Sequence, residues 1–191
     1  MKFVRRGGLY FRVCDPEWAG PLDTSFNKER GGRWNPPGKF GLLHLNATIR
    51  VAAANARKHF EDEIHTLFDL RPQFRPVLYD IAVRRREFVD CVTDQGLRDV
   101  GLTAAYPENT SWLRTRAVGI RAHQNNEDGI ASRSAAEMDR NLGEELAMFD
   151  DRTDALTKLG QRRAFDKWYP VLASPWDASF HRSSVRIGTK P

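Results

Sequence analysis

The chain has 191 residues, 40% apolar and 29% charged, a balance that supports one packed domain and excludes global disorder. No apolar run approaches the roughly 20 residues of a membrane-spanning helix, and MKFVRRGGLYFRV lacks the sustained apolar stretch of a secretory signal, so a cytoplasmic location and no membrane partner are expected. Thirty Lys and Arg against 25 Asp and Glu leave a charge of +5 that suits an anionic ligand, but outside Arg84–Arg86 and Arg162–Arg163 the excess is scattered, and direct nucleic-acid binding is not expected.

In chain order, Leu9 to Val13 reads as a first strand, followed by a polar loop through Pro16, Gly20 and Pro21. Lys39 to Leu45 reads as a second strand. Thr48 or Asn46 then caps a helix through VAAANARKHF, where alanine favours the helix and either cap side chain accepts backbone N–H groups. That helix pauses or continues through EDEIHTLFDL until Pro72 stops it. PVLYDIAV is a β-branched and aromatic run, and EFVDCV reads as its partner strand. Thr93 or Asp94 caps a short helix ending near Gly101. A longer helix from about Asn109 to His123 spaces Trp112, Leu113, Arg116 and Ile120 three to four apart. Gly129 to Ser134 and Glu145 to Phe149 read as further strands, and DALTKLGQRRAFDKWYPVLA as a packing helix or docking tail before a frayed end. Without regular βαβ alternation the fold class is α+β. The expected domains are residues 1–150 and a C-terminal extension over 151–191 that packs on them.

One stretch is richer than a connection requires. RGGRWNPPGKFGLLHLN, residues 30–46, holds Arg33, Trp34 and Asn35 between glycines and a Pro36–Pro37 pair. Arginine offers a planar fork of donors for phosphate or carboxylate, and glycines let backbone approach a ligand. The plain alternative is a rigid turn in which Trp34 plugs the core and Arg33 pairs with an acid. The phosphate-binding patterns GxGxxG and GxxxxGK[ST] are absent. Cys14 and Cys91 are too few for a zinc site or disulfide framework, and His59 and His65, six apart, lack helical metal-pair spacing, so no metal is expected.

GGRWNPPGKFGLLHLN resembles the opening motif of the RES-domain family, whose members show a Gly-Arg-Trp-Asn turn, a strand with Tyr-Leu-Ala and a helix with Glu. GIASRSAAE matches the family's later Gly-Ile-x-x-x-Ser segment and places Ser134 at the family serine, with Ser132 as the competing position. ELAMF matches the closing strand, and Arg12 in YFRV matches an upstream arginine. The resemblance implies an ADP-ribosyltransferase-like fold with a split, mostly antiparallel sheet. It also implies a toxin that cleaves the nicotinamide–ribose bond of NAD, with water or inorganic phosphate as acceptor. The implied partner is an Xre-type antitoxin, with self-association into a homo-oligomer consistent with the family. Arg12, Arg33, Trp34 and Asn35 are the implied substrate-binding residues; Arg33 also joins His44, Asn55 and Ser134 as the catalytic set, Arg33 and Ser134 meeting across one pocket.

Two positions depart from the family pattern. His44 stands where the family tyrosine falls, and Asn55, eleven residues on, where the family glutamate falls. Glu61, Asp62 and Glu63 follow on the same predicted helix, but Asp62 lies about 10.5 Å further along its axis. An active enzyme with a variant site and a weakened homologue that binds NAD, ADP-ribose or a protein are therefore both open readings.

Overall fold

In the computed structural model, which describes residues 1–60, 65–137 and 143–169, β1 (Phe3–Cys14) runs antiparallel along most of β3 (Val77–Cys91). The first half of β3 also pairs with β6 (Leu156–Arg163), and its last three residues pair in parallel with β4 (Gly129–Arg133). From β4 the ladder passes antiparallel to β5 (Glu144–Phe149), then to β2 (Leu42–Asn46), and Phe11 against Asn46 returns it to β1. Five strands thus close into a barrel, with β6 added on an edge of β3. The sheet is mostly antiparallel, as expected for α+β, but the expected split sheet is corrected by this closure.

Side-chain alternation divides the barrel cleanly. Tyr10, Leu43, Leu45, Ile81, Phe88, Ala131, Leu146 and Met148 come from all five strands and form one buried cluster, which is the barrel interior. The opposite faces of the strands pack under helices. Leu42, Val89, Ile130 and Ala147 meet α3 (Asp94–Val100) and α4 (Trp112–Gln124), while Phe11 and Leu78 meet α2 (Ile49–Lys58) and α5 (Phe165–Trp168). Thr48 caps α2 by accepting the Val51 amide, and Thr93 caps α3 by accepting that of Gly96.

Two expectations are corrected here. PVLYDIAV and EFVDCV are not two paired strands but one 15-residue strand, because nothing in Arg84–Arg86 turns the chain. The longer helix expected from about Asn109 to His123 is present as α4, with Trp112, Leu113 and Ile120 on its outer face. Thr115, Val118, Gly119 and Ala122 are buried, whereas Leu113 is 81% exposed. Residues 156–163 form a strand rather than a helix or tail, and Phe165, Trp168 and Tyr169 close the cluster beneath α2. α2 itself ends at Lys58, and the expectations for Glu61, Asp62, Glu63 and the frayed end fall outside the described residues.

Gly119 fixes how closely α4 approaches the 31–41 turn. A Cβ built there would sit 1.7 Å from the Trp34 carbonyl oxygen, so only glycine admits this contact. Alanine ordinarily favours a helix interior over glycine by about 1 kcal/mol. Gly119→Ala is expected to reverse that sign and destabilise the protein by about 1–3 kcal/mol, the usual range for overpacking, read as a lowered denaturation midpoint in urea.

Candidate functional site

The 31–41 turn follows α1 (Ser25–Arg30) and begins at Gly31, whose φ of 69° favours glycine and where an added Cβ would sit 2.7 Å from the Pro37 nitrogen. Asn35 is fully buried. Its amide nitrogen faces the carbonyl and side-chain oxygens of Asn27 and the Phe40 carbonyl at 2.8–3.1 Å. The Asn27 side-chain oxygen also receives the Leu42 amide at 2.8 Å, tying the turn to β2. On the other side α4 grips the turn's backbone. Thr115 donates its hydroxyl to the Arg33 carbonyl, and Arg116 donates to the Gly32 carbonyl at 2.9 Å. Trp34 plugs the core beside Tyr106, ring centres 5.7 Å apart. The main chain of Arg33 is thereby fixed while its guanidinium stays partly exposed, 6.0 Å over the Tyr106 ring.

Tyr106 reaches this point on the loop after α3. Arg133 anchors the loop, donating to the carbonyls of Val92 and Ala104 at 2.7 Å each. The Tyr106 ring is fully buried, and its hydroxyl has no hydrogen-bond partner among the described residues although the Ser132 hydroxyl lies beside it. Burial raises the phenol's pKa, Arg33 lowers it and Glu145 raises it.

Beneath them, the outward face of the barrel presents a polar floor on three adjacent strands. Asn46 and His44 stand on β2, Glu145 on β5, and Ser132 on β4, with Asn46 opposite Glu145 and Glu145 opposite Ser132. Asn55 on α2 closes the row, donating its amide to Asn46 Oδ1 at 2.7 Å and to Glu145 Oε1 at 2.9 Å. His44 lies near Arg33, its Nε2 3.9 Å from where a Gly32 Cβ would be. Burial, with Arg12, Arg33 and His59 adding, pushes its imidazole pKa down to about 3. It is neutral at ordinary pH.

The expected site residues separate into two groups. Arg33, His44 and Asn55 border one constellation. Arg12, Trp34 and Asn35, expected to touch substrate, are turned inward. Arg12 spends its guanidinium on the carbonyls of Pro21, His44 and Asp23, so these three support the site rather than line it. Ser134 is buried with its hydroxyl accepting the Ala136 and Glu137 amides, and Ser132 is the serine beside Tyr106. Tyr106 and Glu145 are not singled out from sequence, and Asn46 is read there only as a possible helix cap. Glu145 had a signal, since it shares the alternation of buried Ala147 and Phe149.

Other features share no residue with this constellation. Depressions of about 240 Å³ between α3 and α4 and about 330 Å³ at the β1 bulge lie elsewhere. His123, Asp150 and Asp151 have ligand atoms within 4.8 Å of one another. In that group His123 stacks on Phe40, while Asp150 accepts the Gly41 amide and pairs with Lys28. Burial raises both cysteine thiols, which disfavours the nucleophilic thiolate.

A family model of the RES domain matches residues 9–170. The fold also matches a chain of the crystal structure of the M. tuberculosis MbcT–MbcA toxin–antitoxin complex. The TM-score is 0.74 at 18% identity, covering 90% of this chain and 92% of that one. A search of curated proteins finds no significant match.

A pH dependence follows from His44. An unfolded chain protonates this residue near its ordinary value of 6.5, while the folded protein resists until about 3. Its contribution to stability is complete above pH 6.5 and is lost as pH falls through that window. Proton NMR of the imidazole is expected to show no titration between pH 5 and 8, and His44→Asn to flatten the acid slope of stability.

Proposed function

Because the chain belongs to the RES-domain family, we propose that it is the toxin of a toxin–antitoxin pair and acts by cleaving the nicotinamide–ribose bond of NAD. The observation that carries this reading is a fixed guanidinium, Arg33, set beside a polar floor and an unpartnered buried phenol. A pyrophosphate is the natural partner for a rigid arginine fork. Nicotinamide leaves as a neutral base, so the protein's task is to orient the dinucleotide and stabilise positive charge developing on the ribose. His44, held neutral, adds no competing positive charge beside the anomeric carbon. The acceptor is water or inorganic phosphate, and the chemistry calls on no metal. An ADP-ribosyltransferase-like mode of holding NAD belongs to the same proposal.

An antitoxin of Xre type is the proposed protein partner. Trp112, Leu113 and Ile120 on the outer face of α4 form an exposed apolar stripe of the kind protein partners cover. A second reading, a weakened homologue that binds NAD or ADP-ribose without turning it over, is favoured by the amide at position 55 in place of a carboxylate.

Nicotinamide release from NAD by the purified protein, with and without phosphate, separates the two. The active reading expects release above background. It also expects Arg33→Ala to lower kcat/KM by about 10²–10³, the order of a lost charge-assisted clamp. Because the turn is held through the Arg33 carbonyl and not its side chain, the melting temperature should stay close to that of the wild type. Binding of NAD without release would select the second reading.

A further inference from the structure

The resemblance places a carboxylate at position 55, where this chain has an amide, yet the structure sets a different carboxylate against that amide. Asn55 Nδ2 lies 2.9 Å from Glu145 Oε1 and 2.7 Å from Asn46 Oδ1. The orientation is settled by the partners. Asn46 spends its own amide nitrogen on the Phe11 carbonyl at 2.9 Å, so its oxygen faces Asn55, and an ionised Glu145 can only accept. Glu145 is half-buried, sits directly across the ladder from Ser132 and is close enough to Tyr106 to act on its phenol. Neighbouring acids are already engaged: Glu144 accepts a bidentate pair from Arg6, and Glu137 pairs with Arg50. Among the described residues no cation pairs with Glu145.

We propose that Glu145 is the catalytic carboxylate of this site, supplied from strand β5 instead of helix α2, and that Asn55 is the positioning residue that aims it. This rests on the NAD-cleaving reading given above. In that reaction the bond from ribose C1′ to the pyridinium nitrogen breaks, and its electron pair neutralises nicotinamide. Glu145 offsets the positive charge this leaves on the ribose. An oxygen of water or phosphate then bonds to C1′, and in the water reaction the departing proton passes by way of Glu145 to solvent. The amide at 55 and the acid at 145 form one unit, in which Asn55 donates to one carboxylate oxygen and leaves the other for the ribose.

The unit makes a specific demand on position 55. Asn55→Glu would set two carboxylates about 3 Å apart, where both cannot stay ionised without cost. That variant alone is expected to lose activity. The exchange Asn55→Glu with Glu145→Asn restores one acid and one amide in reversed places.

The test compares wild type, Glu145→Gln, Glu145→Asn, Asn55→Glu and the exchange for nicotinamide release, with melting temperatures measured alongside. Glu145→Gln keeps an acceptor for Asn55 and removes only the charge. Its kcat is expected to fall by about 10² or more with KM within threefold, the signature of an interaction made in the transition state. The exchange is expected to run at least tenfold faster than either of its single components, a recovery that a purely structural role would not produce. If the wild type releases nicotinamide and Glu145→Gln stays within threefold of it, the assignment is overturned while the NAD-cleaving reading stands. An exchange variant no faster than its components likewise overturns the pairing, and it decides the matter should Glu145→Gln fold poorly. A wild type that releases no nicotinamide overturns the proposed function, and this assignment with it.

Discussion

The site depends on one constraint, the docking of a short turn's backbone onto the face of a helix. Consecutive carbonyls of the turn meet α4 within one helical turn. Arg116 binds that of Gly32, Thr115 that of Arg33, and the bare Cα of Gly119 lets that of Trp34 come close. These contacts use main chain only, so the Arg33 side chain is left to project from a fixed base. A guanidinium on a mobile loop would lose rotational freedom each time it met an anion. One already positioned carries less of that entropic cost into binding. The inward-facing residues extend the same logic. Asn35 ties the turn to Asn27 and Phe40, and Trp34 wedges it against Tyr106, so burial of polar and aromatic groups becomes precision at the partly exposed Arg33.

The barrel supplies the other half of the geometry. Its interior takes every second side chain of all five strands, which leaves the alternate positions of β2, β5 and β4 facing outward together. Toward one end of these strands the outward positions are apolar and packed under α4. Toward the other end they become His44, Asn46, Glu145 and Ser132. A one-residue slip in any of these pairings would send a polar side chain into the apolar interior and bring a leucine out. The hydrophobic core therefore fixes the register of the polar floor. Stability and site geometry rest on the same alternation.

This also explains what was legible in the sequence. The turn announced itself because its glycines, prolines and arginine are local, and the caps at Thr48 and Thr93 were readable for the same reason. Strand β3 reads as two strands because the apolar alternation lapses at the arginine run, whereas the run lies within one long strand whose exposed side chains face water. β6 was missed because it is a mostly exposed edge strand whose alternation never separates apolar from polar. Of the floor, only positions within a recognisable motif stood out. Glu145 and Tyr106 owe their places to strand pairing and to the Arg133 anchor, contacts between segments tens of residues apart that no local pattern encodes. The choice between Ser132 and Ser134 was of the same kind. Both alternate onto one face, and only the turn beyond β4, which draws the Ser134 hydroxyl onto the Ala136 and Glu137 amides, separates them.

If Asn55 and Glu145 form the proposed unit, a single substitution at a motif position is weak grounds for calling the site dead. What the chemistry requires is negative charge at a place, and a place in a folded protein is reached from more than one element. Strand β5 and helix α2 converge on Asn46, so an acid on either can present an oxygen to nearly the same volume. Electrostatics then limits the combinations. Two acids would repel and one would take up a proton, two amides would leave the site without charge, and one of each gives a charged oxygen held by a neutral donor. The identity of residue 55 has meaning only together with that of residue 145, and the pair is the proper unit for comparing this site with others of its fold.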